Sequence, residues 1–278
     1  MPALPNAKDQ LIKKCRFDHY FKGRNWSEYN RAFFDQLAGK YDQVSEVLSF
    51  GQLHNFKHEA AEKILTRDGG RILDLCTGTG DFALYFAQKF PKSQIIGIDA
   101  SVEMLRIARD KARRQGIKNV EFKEGDVLTL SYPDGYFDAA FIGFGLRNLT
   151  DIEQGLKEFR RVIKEGGYFS SLDLGKPRTL FRRFLYRLYR TITSLLGKWI
   201  WHRSECNSFQ YLMESNEFFP APAELVRLFE SAGFGQVNNF DYMLGGVSQQ
   251  VGRALGYVTT LADGAVIESL KEKYQEEA

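Results

Sequence analysis

The stretch of this 278-residue chain best suited to chemistry is Asp74-Leu75-Cys76-Thr77-Gly78-Thr79-Gly80-Asp81, where glycines alternate with hydroxyls between two carboxylates. An apolar run, Ile72 to Cys76, precedes it, and an amphipathic run through Phe82, Tyr85, Phe86 and Phe90 follows. That order reads as strand, turn and helix, with glycines that let a ligand approach the backbone at a helix N-terminus. Two further acids stand where later apolar runs end: Asp99, 25 residues after Asp74, and Asp126.

Gly78-x-Gly80-x-x-Ala83 fits a dinucleotide fingerprint, which by itself is a weak signal. The carboxylates separate the readings. A pyrophosphate resting on that helix N-terminus meets repulsion from Asp81, with Asp74 adding to it. S-adenosylmethionine has no phosphate and carries an ammonium and a sulfonium, so acids around the loop suit it. Asp99 can accept from both ribose hydroxyls, and Asp126 is placed to accept from an adenine amino group. The expected cofactor set is Asp74, Gly78, Thr79, Gly80, Asp81, Asp99, Ala100, Asp126, Val127 and Gly143.

The elements that must position these residues are short apolar runs alternating with amphipathic ones. Strands are expected at Ile72 to Cys76, Ile95 to Ile98, Val120 to Lys123, Phe137 to Ile142 and Tyr168 to Leu174. Helices are expected after Asp81, after Ser101 as N-cap, and over Ile152 to Ile163, the last stopped by Gly166-Gly167. This pattern predicts an α/β, Rossmann-like doubly wound sheet, mostly parallel, with ligands beyond the carboxyl ends of its strands. Gln236 to Gln250 reads as a terminal antiparallel hairpin turning at Gly245-Gly246, and helices are expected before residue 70 and over 175 to 232. The organisation reads as an N-terminal extension (1–30), one catalytic domain (31–260) with a helical insertion at 175–215, and a charged helical tail (261–278).

Three separated segments make the chain resemble the class I methyltransferases that methylate ring carbons in ubiquinone and menaquinone biosynthesis. They are Ala38-Gly39-Lys40-Tyr41-Asp42 with Leu48-Ser49-Phe50-Gly51 and His54-x-x-Lys57, then Asp74 to Asp81, then Phe144-Gly145-Leu146-Arg147-Asn148. Tyr211-Leu212-x-Glu214-Ser215, Ala232-Gly233-Phe234 and Gly245-Gly246 extend the likeness, which covers roughly residues 33 to 248. Ser45 stands where the family usually has Asn, Phe56 where it has Trp, Gly143 where it has Ser, and Val-Ser-Gln-Gln follows Gly246 in place of an apolar run. The resemblance implies S-adenosylmethionine as cofactor and a polyprenylated quinol as substrate. Methyl transfer to carbon is an in-line displacement, so the protein must align the reactants, exclude water and stabilise a phenolate. Arg147 is the expected oxyanion partner. Tyr41 and Asp42 are expected to orient the ring or accept its proton. Competing readings are methylation of another lipid or small molecule, an NAD-linked oxidoreductase, and a non-catalytic scaffold.

Between Asp173 and Glu205 there is no acid, while Lys176, Arg178, Arg182, Arg183, Arg187, Arg190, Lys198 and Arg203 give eight positive charges. On a helical wheel Leu180, Phe181, Phe184, Leu185, Leu188, Ile192, Leu195, Leu196 and Trp199 share one arc, opposite the arginines. Such a stretch can lie on an anionic membrane surface or pack on the core. The net charge of +3 averages this basic block against a mildly acidic remainder, and no motif suggests a nucleic-acid partner. Cys15, Cys76 and Cys206 form no disulfide or zinc pattern, and His54 and His58 lack the acid of a zinc motif, so no metal is expected. No run approaches the roughly 18 apolar residues of a membrane span. The expected location is the cytoplasm, peripheral to the inner face of a membrane, with monomer and homodimer both open.

Overall fold

The computed structural model describes residues 26–49, 51–63, 68–177, 179, 181–182, 184, 186, 191, 215–216 and 219–255. Three helices come first: α1 (Trp26–Leu37), α2 (Tyr41–Leu48) and α3 (Leu53–Lys63), the first two joined by a 3-10 turn at Ala38–Lys40. The alternating part follows as β1 (Arg71–Leu75), α4 (Asp81–Lys89), β2 (Gln94–Asp99), α5 (Val102–Gln115), β3 (Val120–Glu124), β4 (Phe137–Gly143), α6 (Ile152–Val162) and β5 (Ile163–Leu174). Then come α7 (Pro222–Ser231), β6 (Phe234–Tyr242) and β7 (Val247–Ala254).

These strands form one seven-stranded sheet in the order β3-β2-β1-β4-β5-β7-β6. All pairs are parallel except those of β7, which runs antiparallel to both β5 and β6. The expected mostly parallel sheet with a terminal hairpin is what the chain adopts. Strand β1 is buried along nearly its whole length, as a central parallel strand covered by helices on both faces must be. Successive side chains alternate between faces: Leu73 and Leu75 pack with Ile96, Phe159 and Phe229, while Ile72 packs with Phe86, Ile95 and Phe141.

The predicted cap of α5 is in place, with Met104 N–H donating to Ser101 Oγ at 3.1 Å and Gly116 ending the helix in the left-handed region. The end of α6 differs from expectation. Gly166-Gly167 lies inside β5 and does not stop the helix, which already ends at Val162. Pairing between β4 and β5 jumps from Phe137↔Ile163 to Ala139↔Tyr168, so the extra residues form a bulge. A Cβ on Gly167 would come within 2.7 Å of the Asp138 carbonyl oxygen, which explains the glycine there.

From β1 the chain winds outward through β2 and β3, and from β4 it winds the other way. The sheet therefore opens a crevice beyond the carboxyl ends of the neighbours β1 and β4. Helices α1 and α2 lie over it. Trp26 Nε1 and Asn30 Nδ2 donate to the Asn148 carbonyl at 3.1 and 3.0 Å, and Arg31 pairs with Glu124 at 2.6 Å. Among the described residues no helix is long and apolar enough to cross a membrane. The N-terminal extension up to residue 25, the charged tail, and most of 178–203 and 211–214 lie outside the described residues.

Candidate active site

Two adjoining cavities occupy the crevice. One, about 360 Å³, lies against Gly78, Asp99, Ala100, Asp126 and Val127. The other, about 300 Å³, is mostly apolar, with Phe33, Leu37, Val44, Leu53 and Phe56 among its walls. Phe34, Tyr41, Cys76, Gly143 and Phe144 line both, so the cavities meet there. Cys76 and Phe144 have φ of 52° and 56°, a left-handed conformation uncommon outside glycine. The turns after β1 and β4 are thus strained where the two spaces join.

The first cavity fits a nucleoside with cationic groups and not a dinucleotide. Three of its loop N–H groups are already used: Gly78 donates to Asp99 Oδ2 at 2.7 Å, Gly80 to the Thr77 carbonyl at 2.9 Å, and Ala83 to Asp74 Oδ2 at 3.1 Å. These three donors of a would-be phosphate cradle serve the protein's own acceptors. Burial pushes the Asp99 carboxyl above its ordinary range, a penalty that a positive charge in the cavity would relieve. Asp126 is exposed at the mouth, with Oδ1 accepting from Leu128 N–H at 2.9 Å.

Several predicted residues sit elsewhere than their expected roles imply. Gly80 lines neither cavity: its φ is 81°, and a Cβ there would meet Phe122 Cζ at 2.8 Å and Ala108 Cβ at 2.9 Å, so it lets α4 pack against β3 and α5. The Asp42 carboxylate also lines neither cavity. It accepts from Thr79 Oγ1 at 2.6 Å and pairs with Lys111 Nζ at 2.7 Å. Lys111 also reaches Asp81 at 3.1 Å, and Lys57 lies 3.8 Å from Asp81. Two lysines thus offset the charge expected to repel a pyrophosphate, and the discrimination rests instead on the occupied N–H groups and Asp99. Asp74 and Thr79 border the apolar cavity together with Asp81.

Arg147 does reach the apolar cavity, held in the 3-10 turn Leu146–Asn148 that follows β4. Its Nη1 donates to Asp173 Oδ1 at 2.5 Å and to the Phe144 carbonyl at 2.7 Å. Asp173, at the end of β5, was missed from sequence; its one signal is being the last acid before the basic block. Tyr41 is pushed up to about 12, chiefly by burial and against the opposing pull of Arg147, so near neutrality its phenol is a hydrogen-bond donor and not a base. A neutral phenol bordering both cavities suits the ring-orienting part of the expectation for Tyr41. Phe33, Phe34 and Leu37 of α1 were also missed, although their helical spacing marks one apolar face.

Residues 24–253 match the model of the ubiE/COQ5 methyltransferase family. The demethylmenaquinone methyltransferase of Thermus thermophilus is 39% identical over 202 residues, 72% of this chain and 90% of that protein. That of Geobacillus kaustophilus is 34% identical over 221 residues, 79% and 94% of the two chains. Among solved structures, an S-adenosylmethionine-dependent methyltransferase of Thermotoga maritima superposes with a TM-score of 0.58 at 21% identity, covering 81% of this chain and 99% of that one. Fold, loop chemistry and family match agree: the chain belongs to the ubiE/COQ5 methyltransferase family and is an S-adenosylmethionine-dependent methyltransferase.

Proposed function

We propose that the protein methylates a ring carbon of a polyprenylated quinol, of the menaquinone or ubiquinone type. The observation that carries this reading is the junction of a carboxylate-lined cavity with an apolar one at Tyr41, Cys76 and Gly143. The related proteins named demethylmenaquinone methyltransferase support it.

Asp99, Ala100, Asp126, Val127 and Gly78 would hold S-adenosylmethionine. When bound, it supplies an electrophilic methyl group. The chain's own residues do the rest. Phe33, Phe34 and Phe56 offer flat faces for a ring and exclude water. The buried Arg147 guanidinium supplies positive charge for an oxygen that becomes anionic, and the Asp173 pair fixes its direction. The Tyr41 phenol donates a hydrogen bond beside it. Ser45, Phe56, Gly143 and Val247, positions at or beside the departures from the family's usual residues, all line the apolar cavity. Differences at Ser45, Phe56 and Val247 adjust the fit to the ring away from the cofactor cavity, while Gly143 borders both.

A tail must leave the cavity into an apolar medium. Leu244, at the rim, is 53% exposed, and Phe181 and Phe184 are 70% and 64% exposed, while Tyr186 from the same stretch lines the cavity. These residues, with the basic block of 178–203, support docking at an anionic membrane surface. Incubating the protein with a demethylated prenyl quinol and cofactor, then weighing the product by mass spectrometry, tests the function. Absence of a methylated quinol, with S-adenosylhomocysteine still bound, would refute the substrate. Flotation with anionic vesicles tests the docking, and failure to float at low salt would refute it.

A further inference from the structure

The apolar cavity has two ends. At one it meets the cofactor cavity, beside Cys76 after β1 and Gly143 and Phe144 at the end of β4. At the other it reaches Met243, Leu244, Gly246 and Val247, where β6 turns into β7. In the sheet β7 stands three places from β1, roughly 14 Å at ordinary strand spacing. The Phe144, Phe56 and Tyr242 rings follow the same direction, with centroids 6.3 and then 6.0 Å apart.

Among the described residues that line this cavity, Leu244 alone is exposed; the others are buried or half-buried. The backbone there is strained. Met243, Leu244 and Gly245 have φ of 46°, 59° and 92°, so two residues with side chains take in succession a conformation that usually falls to glycine. Packing holds the turn in place. Gly175 N–H donates to the Gly246 carbonyl at 2.9 Å, a Cβ on Gly245 would lie 3.2 Å from Pro177 Cα, and one on Gly246 would come within 2.8 Å of Tyr186 Cε2. An apolar side chain is thus kept in water at the one exposed point of an apolar cavity, beside Tyr186.

We propose that the β6–β7 turn is the portal through which the isoprenoid tail of the quinol leaves the site, and that Leu244 selects for a ring that carries a tail; this rests on the quinol reading given above. A tail lying along Leu244 and Met243 removes apolar surface from water on both sides, which a ring without a tail cannot do. Because the turn is already fixed, little freedom is lost when the tail settles on it.

The test uses the full chain in non-ionic detergent without lipid, so that membrane docking has no part in the result. The probes are two demethylated quinols of one ring, one without a tail and one with two isoprene units. Wild type is expected to show a KM for the tailed quinol at least about tenfold below that for the tail-less one. Leu244→Asp should lower the ratio of kcat/KM, tailed over tail-less, by about tenfold or more, with the loss falling on the KM of the tailed quinol. Leu244→Gly suits the positive φ and so keeps the fold if the first variant does not; it should lower the same ratio by about threefold or more. Equal use of the two probes by wild type would overturn the selection and leave the quinol reading standing. A ratio unmoved in either folded variant, or a loss shared equally by both probes, would overturn the route across Leu244. A wild-type protein inert on both quinols would instead overturn the substrate reading, and this proposal with it.

Discussion

Asp173 joins the fold to the chemistry, and removing it has a calculable cost. Arg147 is 6% exposed and Asp173 1% exposed. The carboxylate takes the Arg147 guanidinium at 2.5 Å, the Arg147 backbone N–H at 3.3 Å and the Leu174 N–H at 2.7 Å. It therefore ties the turn after β4 to the end of β5. Asp173→Ala removes the buried carboxylate that faces the Arg147 guanidinium and leaves two backbone donors without this acceptor. Breaking one partner of such a pair costs about 3–5 kcal/mol. Against a total stability on the order of 5–15 kcal/mol this is a large share. With a urea slope of about 2–3 kcal/mol/M, the unfolding midpoint falls by roughly 1–2 M. Replacing both partners, Arg147→Met with Asp173→Leu, is expected to recover at least half of that stability, since an apolar pair carries no unpaired charge. The double variant should still lack turnover, because Arg147 is gone. Equilibrium urea unfolding of the two single variants and the double closes a mutant cycle. A loss below about 1 kcal/mol for Asp173→Ala, or a double variant less stable than both singles, would refute the account.

Three other outcomes follow from the same geometry. Gly80→Ala should destabilise by about 2–4 kcal/mol, combining a positive φ with a Cβ pressed onto Phe122 and Ala108, and thermal unfolding unchanged within error would contradict it. Lys111→Met should leave Asp42 and Asp81 facing each other without their shared cation, loosening α2 from the cofactor loop; weaker S-adenosylhomocysteine binding and faster tryptic cleavage near Lys40 are expected, with partial rescue by Lys111→Arg. Tyr41 is neutral well beyond physiological pH, so the wild-type kcat profile should show no limb from it below about pH 10 and Tyr41→Phe should reduce kcat without moving the acidic limb; a shifted acidic limb would show that Tyr41 titrates in the reaction.

Much of the site's outline was legible because it depends on short-range rules. A buried strand, a glycine turn and an amphipathic helix can be read around Asp74 to Asp81. The Ser101 cap and the Gly245-Gly246 turn follow from backbone needs of one or two residues. Gly166-Gly167 misled for the same reason: glycine permits a bulge as readily as a helix end, and only the pairing of β4 with β5 chose between them.

The sequence by itself determined the alternating architecture, the acidic strand ends and the family, because those are written in periodicity and in motifs along the chain. The tertiary structure decided which side of the crevice each group faces. Asp74 and Asp99 both lie at or near strand ends, yet one borders the apolar cavity and the other the cofactor cavity. Asp42 and Asp81 read as site acids until Lys111 and Lys57 arrive from other helices. Periodicity fixes the face of an element, but a side chain's charge environment depends on groups brought together from distant segments by packing, and desolvation sets it only once the fold has closed.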